Sequence, residues 1–224
     1  MLASNTERWL WWPWIGDNAG VIRHDLWVHI ELTVIAVVAG LIVSLPLGIW
    51  AQRRPRTLGP VLGGAGVLYT IPALAAFALL IPYTGSGNLT AVIPLTAYTL
   101  LILVRNIVTG LDGVPDEALE AADAMGLTRS QRLWRLELPL ATPAIMAGVR
   151  VATVSTIGML TIAALVGLGG LGHLIMVGLN RPIRTAVTVG AVLSVAFAVV
   201  ADICLAVLQR KLSPWANNRS VSTA

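Results

Sequence analysis

The sequence predicts an all-α integral membrane protein with about five membrane-spanning helices, and three observations predict it. Charged residues make up 12% of the chain and hydrophobic ones 56%, with a mean hydropathy of +0.80, whereas a water-surrounded domain carries about 25% charge. The apolar residues are gathered into long runs instead of being spread through amphipathic elements, which places them in lipid. The bases lie between those runs, so the sequence pI near 10.0 describes the loops of a membrane protein and not a nucleic-acid surface.

The first run, residues 30–50, has Glu31 as its only charge and makes about 31 Å of helix, enough for one crossing. The second, residues 58–80, is uncharged, but Pro60, Gly63, Gly64, Gly66 and Pro72 make it irregular, so it is expected to pack against protein. Residues 89–104 form a third, with Gly87 and Asn88 at the interface. Residues 144–166, interrupted by Arg150, and 185–208, interrupted by Asp202, are the fourth and fifth. The glycine-rich stretch GLGGLGHLIMVGLN, residues 167–180, is too short for another independent crossing and reads as a turn followed by a short interfacial or re-entrant helix. At the start of the chain Trp9, Trp11, Trp12 and Trp14 surround Pro13. Indoles favour the headgroup region, so this segment is expected to anchor at the interface; an additional crossing there is the alternative. It lacks the basic n-region and cleavage pattern of a removed signal peptide. Cys204, alone in an apolar run, offers neither a disulfide nor a cysteine metal site.

Five crossings put ten bases on one side: Arg53, Arg54, Arg56, Arg105, Arg129, Arg132, Arg135, Arg210, Lys211 and Arg219. Arg8, Arg23, Arg181 and Arg184 are the four on the other. The richer side is assigned to the cytoplasm, which puts the N-terminus outside and the C-terminus inside. The chain then divides into a tryptophan-rich extracytoplasmic segment at 1–25, a transmembrane domain at 26–208 with a cytoplasmic loop at 112–139, and a cytoplasmic tail at 209–224.

That loop holds two short helices. Pro115, Asp116, Glu117 and Glu120 suit the start of the first, where acids meet the positive end of the helix, and Gly126 suits a left-handed stop. Thr128 and Gln131 form a possible capping box for the second. Arg129, Arg132 and Arg135 recur every third residue, and Pro139 and Pro143 are expected to restart the chain toward the membrane. One reading is an amphipathic linker lying along headgroups. The other is a docking element whose small residues, Ala118, Ala121, Ala122 and Ala124, admit a partner closely. The sequence has no Gly-rich phosphate loop with its lysine, no HExxH and no paired histidines at ligand spacing; His24, His29 and His173 suit interfacial or packing roles. An energy source therefore belongs to a second polypeptide, and a membrane enzyme has no evident set of polar groups at a common depth.

The stretch EAADAMGLTRSQRLWRLELP, from Glu120 to Pro139, resembles the EAA loop of binding-protein-dependent ABC importer permeases: Glu-Ala-Ala, three residues, Gly, nine residues, a branched apolar residue, one residue, Leu-Pro, with Leu136 where isoleucine is usual. The surrounding LPLATPAIMAGVRVATVSTIGMLTIAALVGLGGLGHLI, with PLGI and IPALAAFALLIP earlier, resembles the betaine, carnitine and choline class of osmoprotectant permeases. The resemblance covers about residues 27–208. It implies a type I ABC importer transmembrane domain, paired with a second copy or a homologue, over two ATPase subunits that hold ATP and Mg, and served by an extracytoplasmic solute-binding protein. It assigns Glu120, Ala121, Ala122, Gly126, Leu136, Leu138 and Pro139 to the ATPase-coupling element, and it assigns no cofactor or metal to this chain.

A quaternary ammonium is recognised by cation–π contacts. Tyr69, Tyr83 and Tyr98 offer such contacts in a pathway or, equally, anchor at the interface. Arg150 and Asp202 lie within spans, where a charge faces protein, water or a partner, or snorkels to the cytoplasmic end. Because the coupling motif is shared among importers, another small solute, such as an amino acid, is the alternative cargo; an assembly subunit is the alternative role.

Overall fold

A computed structural model describes residues 8–215; the rest of the tryptophan-rich segment and of the tail lies outside the described residues. Among the described residues nine helices follow one another: α1 (Trp12–Asp17), α2 (Ala19–Arg53), α3 (Pro55–Thr70), α4 (Ala73–Thr84), α5 (Asn88–Asp112), α6 (Asp116–Ala124), α7 (Arg129–Val166), α8 (Leu171–Asn180) and α9 (Arg184–Leu212). α2, α5, α7 and α9 are each long and apolar enough to cross a membrane.

The long helices exceed the apolar runs that announce them. α2 has 35 residues, about 50 Å of helix, against a hydrocarbon core about 30 Å thick; the run at 30–50 is its middle. Polar residues at its ends continue the helix because nothing there removes a backbone bond.

The second run is not one straight helix. α3 and α4 meet at 87° across Ile71 and Pro72. Proline disfavours the helical region for the residue before it, and Ile71 is extended at φ −66°, ψ 125°. The carbonyl freed at the break accepts a 2.6 Å hydrogen bond from the hydroxyl of Tyr98, so a bent backbone is tolerated inside a membrane bundle.

Contacts between helices fix which ends share a side. Gly40 of α2 faces Thr99 of α5 so closely that a Cβ would lie 1.9 Å from the threonine hydroxyl. Gly48 meets Ile107 in the same register, and the Gln52 amide donates to Asp112 at 3.2 Å. α2 and α5 are therefore parallel, and the bent α3–α4 pair between them crosses back as one broken span. α7 runs opposite to α5, with Gly148 against Asn106 and Gly110 against Ala141. α9 runs opposite to α7, through Arg150–Asp202 and Gln209–Pro143 contacts. The five crossings thus gather Arg53, the α5–α7 loop and Lys211 at one end. The other end gathers α8, the start of α2 and residue 11, whose amide donates to Thr185.

α5 is the central helix, with Leu95, Leu103, Val104 and Ile107 fully enclosed. Toward the α8 end it packs with Leu32, Phe77 and Leu160, and toward the loop end with Val37, Leu133 and Ala152. Glycine at 40 and 148 lets backbones approach where lipid supplies no hydrophobic drive between helices.

Candidate functional site

The loop between α5 and α7 folds as a compact unit. Asp116 and Glu117 occupy the first turn of α6, where carboxylates complement the unpaired amides. The helix closes in a Schellman turn: Gly126 stands at φ +74°, its amide donates to the Asp123 carbonyl at 3.0 Å, and the Leu127 amide donates to the Ala122 carbonyl at 3.1 Å. The next helix begins two residues on. The Thr128 amide donates to the Gln131 side chain at 2.9 Å and the Gln131 amide donates to the Thr128 hydroxyl at 3.3 Å, a complete capping box.

Pro139 and Pro143 do not restart the chain, contrary to the sequence expectation. α7 runs unbroken from Arg129 to Val166. The stretch Leu133–Glu137 winds as a π-helix, and the Leu138 amide donates to the Leu133 carbonyl. Such a wide turn absorbs a proline that cannot complete an α-helical bond.

The wide turn also assembles a clamp that sequence spacing did not reveal. Arg132 donates from Nε to Glu137 at 2.8 Å and from Nη1 to both oxygens of Asp123, at 2.9 and 2.8 Å. Glu137 is buried. Residues five apart diverge on an α-helix; here the π register lets Arg132 and Glu137 meet. One guanidinium therefore ties the end of α6 to the root of α7, and Leu133 beside it enters the core with Leu103, Ile107 and Leu111.

Of the motif residues, Glu120, Ala121 and Gly126 are exposed, with Met125 at 74%. Ala122 is buried against the unit itself. Leu136, Leu138 and Pro139 are half-buried at the root of α7, and the Leu138 carbonyl accepts from Thr142 at 2.9 Å. The result is a small-residue knob, held at a fixed angle, projecting from the loop end of a helix of 38 residues.

The charges within the spans meet. Arg150 Nε and Nη2 each donate to one carboxylate oxygen of Asp202 at 2.8 Å, a bidentate pair joining α7 to α9. Gln209 extends the link, accepting from Arg150 at 3.4 Å and donating to the Pro143 carbonyl at 3.0 Å. Tyr69 and Tyr98 stand edge to face at 5.9 Å beside the α3–α4 break; Tyr98 is buried and Tyr69 exposed. Tyr83 stands apart from them and is 85% exposed.

A polar cluster at the α8 end was not foreseen as a unit. His29, fully buried, accepts the Leu171 amide at Nδ1 (3.1 Å), which leaves Nε2 to donate to the Ile157 carbonyl at 3.2 Å. One turn away, buried Asp25 meets His173 at 2.8 Å. Gly167 and Gly170, at φ +79° and +91°, turn the chain from α7 into α8, so α7 touches the knob at one end and this cluster at the other. The only sequence signal was the polarity of Asp25 and His29, four residues apart at the head of an apolar helix.

Four spans around a central helix, one of them broken, with a clamped two-helix loop leading into the continuous α7, make the transmembrane domain of a type I ABC importer. Inward-facing structures of the MetNI methionine ABC transporter share this fold, with a TM-score of 0.78 over 88% of this chain and 98% of that one at 21% identity. The model of the binding-protein-dependent transport system inner membrane component matches residues 44–214, and the chain belongs to that family. It is 39% identical over 197 residues to the choline transport system permease protein OpuBB of Bacillus subtilis, covering 88% of this chain and 91% of that protein. It is also 39% identical to the osmoprotectant import permease protein OsmW of Salmonella typhimurium over 203 residues, covering 88% of this chain and 94% of that one.

Proposed function

We propose that this permease moves glycine betaine, choline or a related quaternary-ammonium osmoprotectant inward, and that α6 with Gly126 is the contact through which a partner ATPase drives it. The observation that carries the coupling role is the Arg132 clamp with the unbroken α7. A knob free to swivel would dissipate a push; one bonded to both Asp123 and Glu137 delivers it along α7 to Arg150, Ile157 and the His29 cluster. The solute class is supported by the likeness to permeases named for choline and osmoprotectants.

In this reading two ATPase subunits hold ATP and Mg, this chain pairs with a second copy or a homologue, and an extracytoplasmic binding protein delivers solute. The end bearing Arg53, the knob and Lys211 faces the cytoplasm, because it carries the excess of bases. The N-terminus then lies outside and the C-terminus inside. Glu120 and the exposed faces of Ala121 and Met125 seat in the ATPase, Arg150–Asp202 keeps α7 and α9 moving together, and Tyr69 offers its ring to a passing ammonium. Proteoliposomes holding the complex and its binding protein are expected to take up labelled glycine betaine or choline with internal or external ATP supplied on the knob side, and to ignore methionine. Uptake of methionine with no response to quaternary ammonium solutes would overturn the substrate class.

A further inference from the structure

α2, α7 and α9 leave an apolar groove open along the outside of the bundle. Its upper stretch, about 320 Å³, is walled by Val34, Val38, Val149, Phe197 and Cys204. Leu41 walls both this stretch and a lower one of about 440 Å³, which continues past Leu45 to Trp134, Leu212 and Trp215. Val34, Val38 and Cys204 are exposed, so the groove opens outward. It follows α2 from Thr33 to Leu45 for about 18 Å, across the middle of the run at 30–50, and its lower stretch, from Leu41 down, lies in the knob-side half of a core about 30 Å thick.

The lower end has the chemistry of a headgroup site. Trp134 is 63% exposed and Trp215 43%, and indoles favour headgroup depth. Lys211 shares the α9 stripe of Cys204, seven residues on, and Arg210 adjoins it. Both are exposed, and neither is in an ion pair among the described residues. Arg150, deeper in the span, is already paired with Asp202, so the uncompensated charge sits at the rim. A second copy packed through the same face would bring these bases against their own equivalents, whereas a phosphate would neutralise them.

We infer that this groove binds an anionic phospholipid of the leaflet on the knob side, with one acyl chain running along α2 past Leu45 and Leu41 and the phosphate at Arg210 and Lys211. The inference rests on the proposed orientation only for naming that leaflet cytoplasmic; it is independent of the solute. The test uses the purified complex in phosphatidylcholine nanodiscs containing a minor fraction of phosphatidylglycerol or phosphatidylcholine with a diazirine in the acyl chain. Adducts are expected on peptides holding Val38, Leu41, Cys204 and Leu205, favouring phosphatidylglycerol by about fivefold or more, the factor for one base at an anionic surface. Leu41→Trp should fill the groove and reduce the adducts several-fold. Arg210→Gln with Lys211→Gln, at exposed positions that leave the bundle intact, should abolish the preference while acyl adducts persist. Equal labelling by both lipids, or adducts spread evenly over all outward helices, would overturn the site. So would a Cys204–Cys204 disulfide formed on oxidation of the intact complex, since that would place a second copy over the groove. A complex that keeps this lipid pattern but imports no quaternary-ammonium solute sinks the proposed function alone; one that imports the solute without groove adducts sinks this inference alone.

Discussion

Replacing Gly126 with valine separates the knob's geometry from everything else in the chain. At φ +74° a side chain has open space around its Cβ, with no atom within 4 Å, so the cost is confined to the backbone. An L-residue held in the left-handed region costs about 1–2 kcal/mol, and a β-branched one falls at the upper end because it is an outlier there. Alanine is expected near 1 kcal/mol and asparagine less, since its side chain tolerates that region. The chain can relieve such strain by flipping φ, and doing so breaks the Gly126–Asp123 and Leu127–Ala122 backbone bonds and draws Asp123 from Arg132. None of these groups lies in the apolar middle of a span, so insertion and pairing should survive. In proteoliposomes, stimulation of ATP hydrolysis by loaded binding protein should rank wild type and Gly126→Asn together, then Gly126→Ala, then Gly126→Val, whose stimulation should be largely lost at normal complex abundance. Full stimulation in Gly126→Val, or a loss in Gly126→Asn equal to that in Gly126→Val, would refute the reasoning.

Removing the clamp with Arg132→Ala leaves buried Glu137 without its partner and should uncouple hydrolysis from transport, read as ATP consumed per solute imported. Arg150→Leu strands Asp202 and should lower uptake several-fold with the complex assembled; if Arg150→Gln and Arg150→Leu both transport as wild type does, the pair has no role. Glu120→Lys should reduce the ATPase retained on purification, while Ser130→Ala, also exposed, should not. Tyr98→Phe leaves the Ile71 carbonyl unpaired at the α3–α4 break, costing about 1–3 kcal/mol, and should lower the melting temperature of the purified complex; an unchanged melt would remove the tyrosine's part in holding the bend.

The spans were legible because a bilayer demands uninterrupted apolarity and the chain obeys it. Their ends were not, since α2 continues as helix well outside the run at 30–50 through residues such as Asp25 that lipid does not select. Pro72 marked a disturbance in the second run, but neither the 87° bend nor the partner that Tyr98, distant in sequence, supplies to the freed carbonyl was legible there. Around the knob, Gly126, Thr128 and Gln131 announced the turn and cap because such signals act within a few residues. Pro139 and Pro143 misled for the complementary reason: a proline ends an isolated helix, but a π turn one residue upstream keeps this one whole. The Arg132 clamp, formed across that same turn, was invisible to any reading that assumed α-helical spacing. Arg150 and Asp202 stood out singly as charges in lipid, and only packing of α7 on α9 shows them as a pair.

The central claim is that the exposed end of α6 is where a partner ATPase engages this permease, and cross-linking measures it directly. In a Cys204→Ala background, a cysteine at exposed Ala121 and one at exposed Leu179 on the opposite end are each treated with a short bifunctional thiol reagent in the native complex. The account predicts an adduct with the ATPase subunit from position 121, altered in yield when ATP binds, and none from position 179. An ATPase adduct from position 179, or its absence from position 121 in a complex that still hydrolyses ATP on solute delivery, would contradict it.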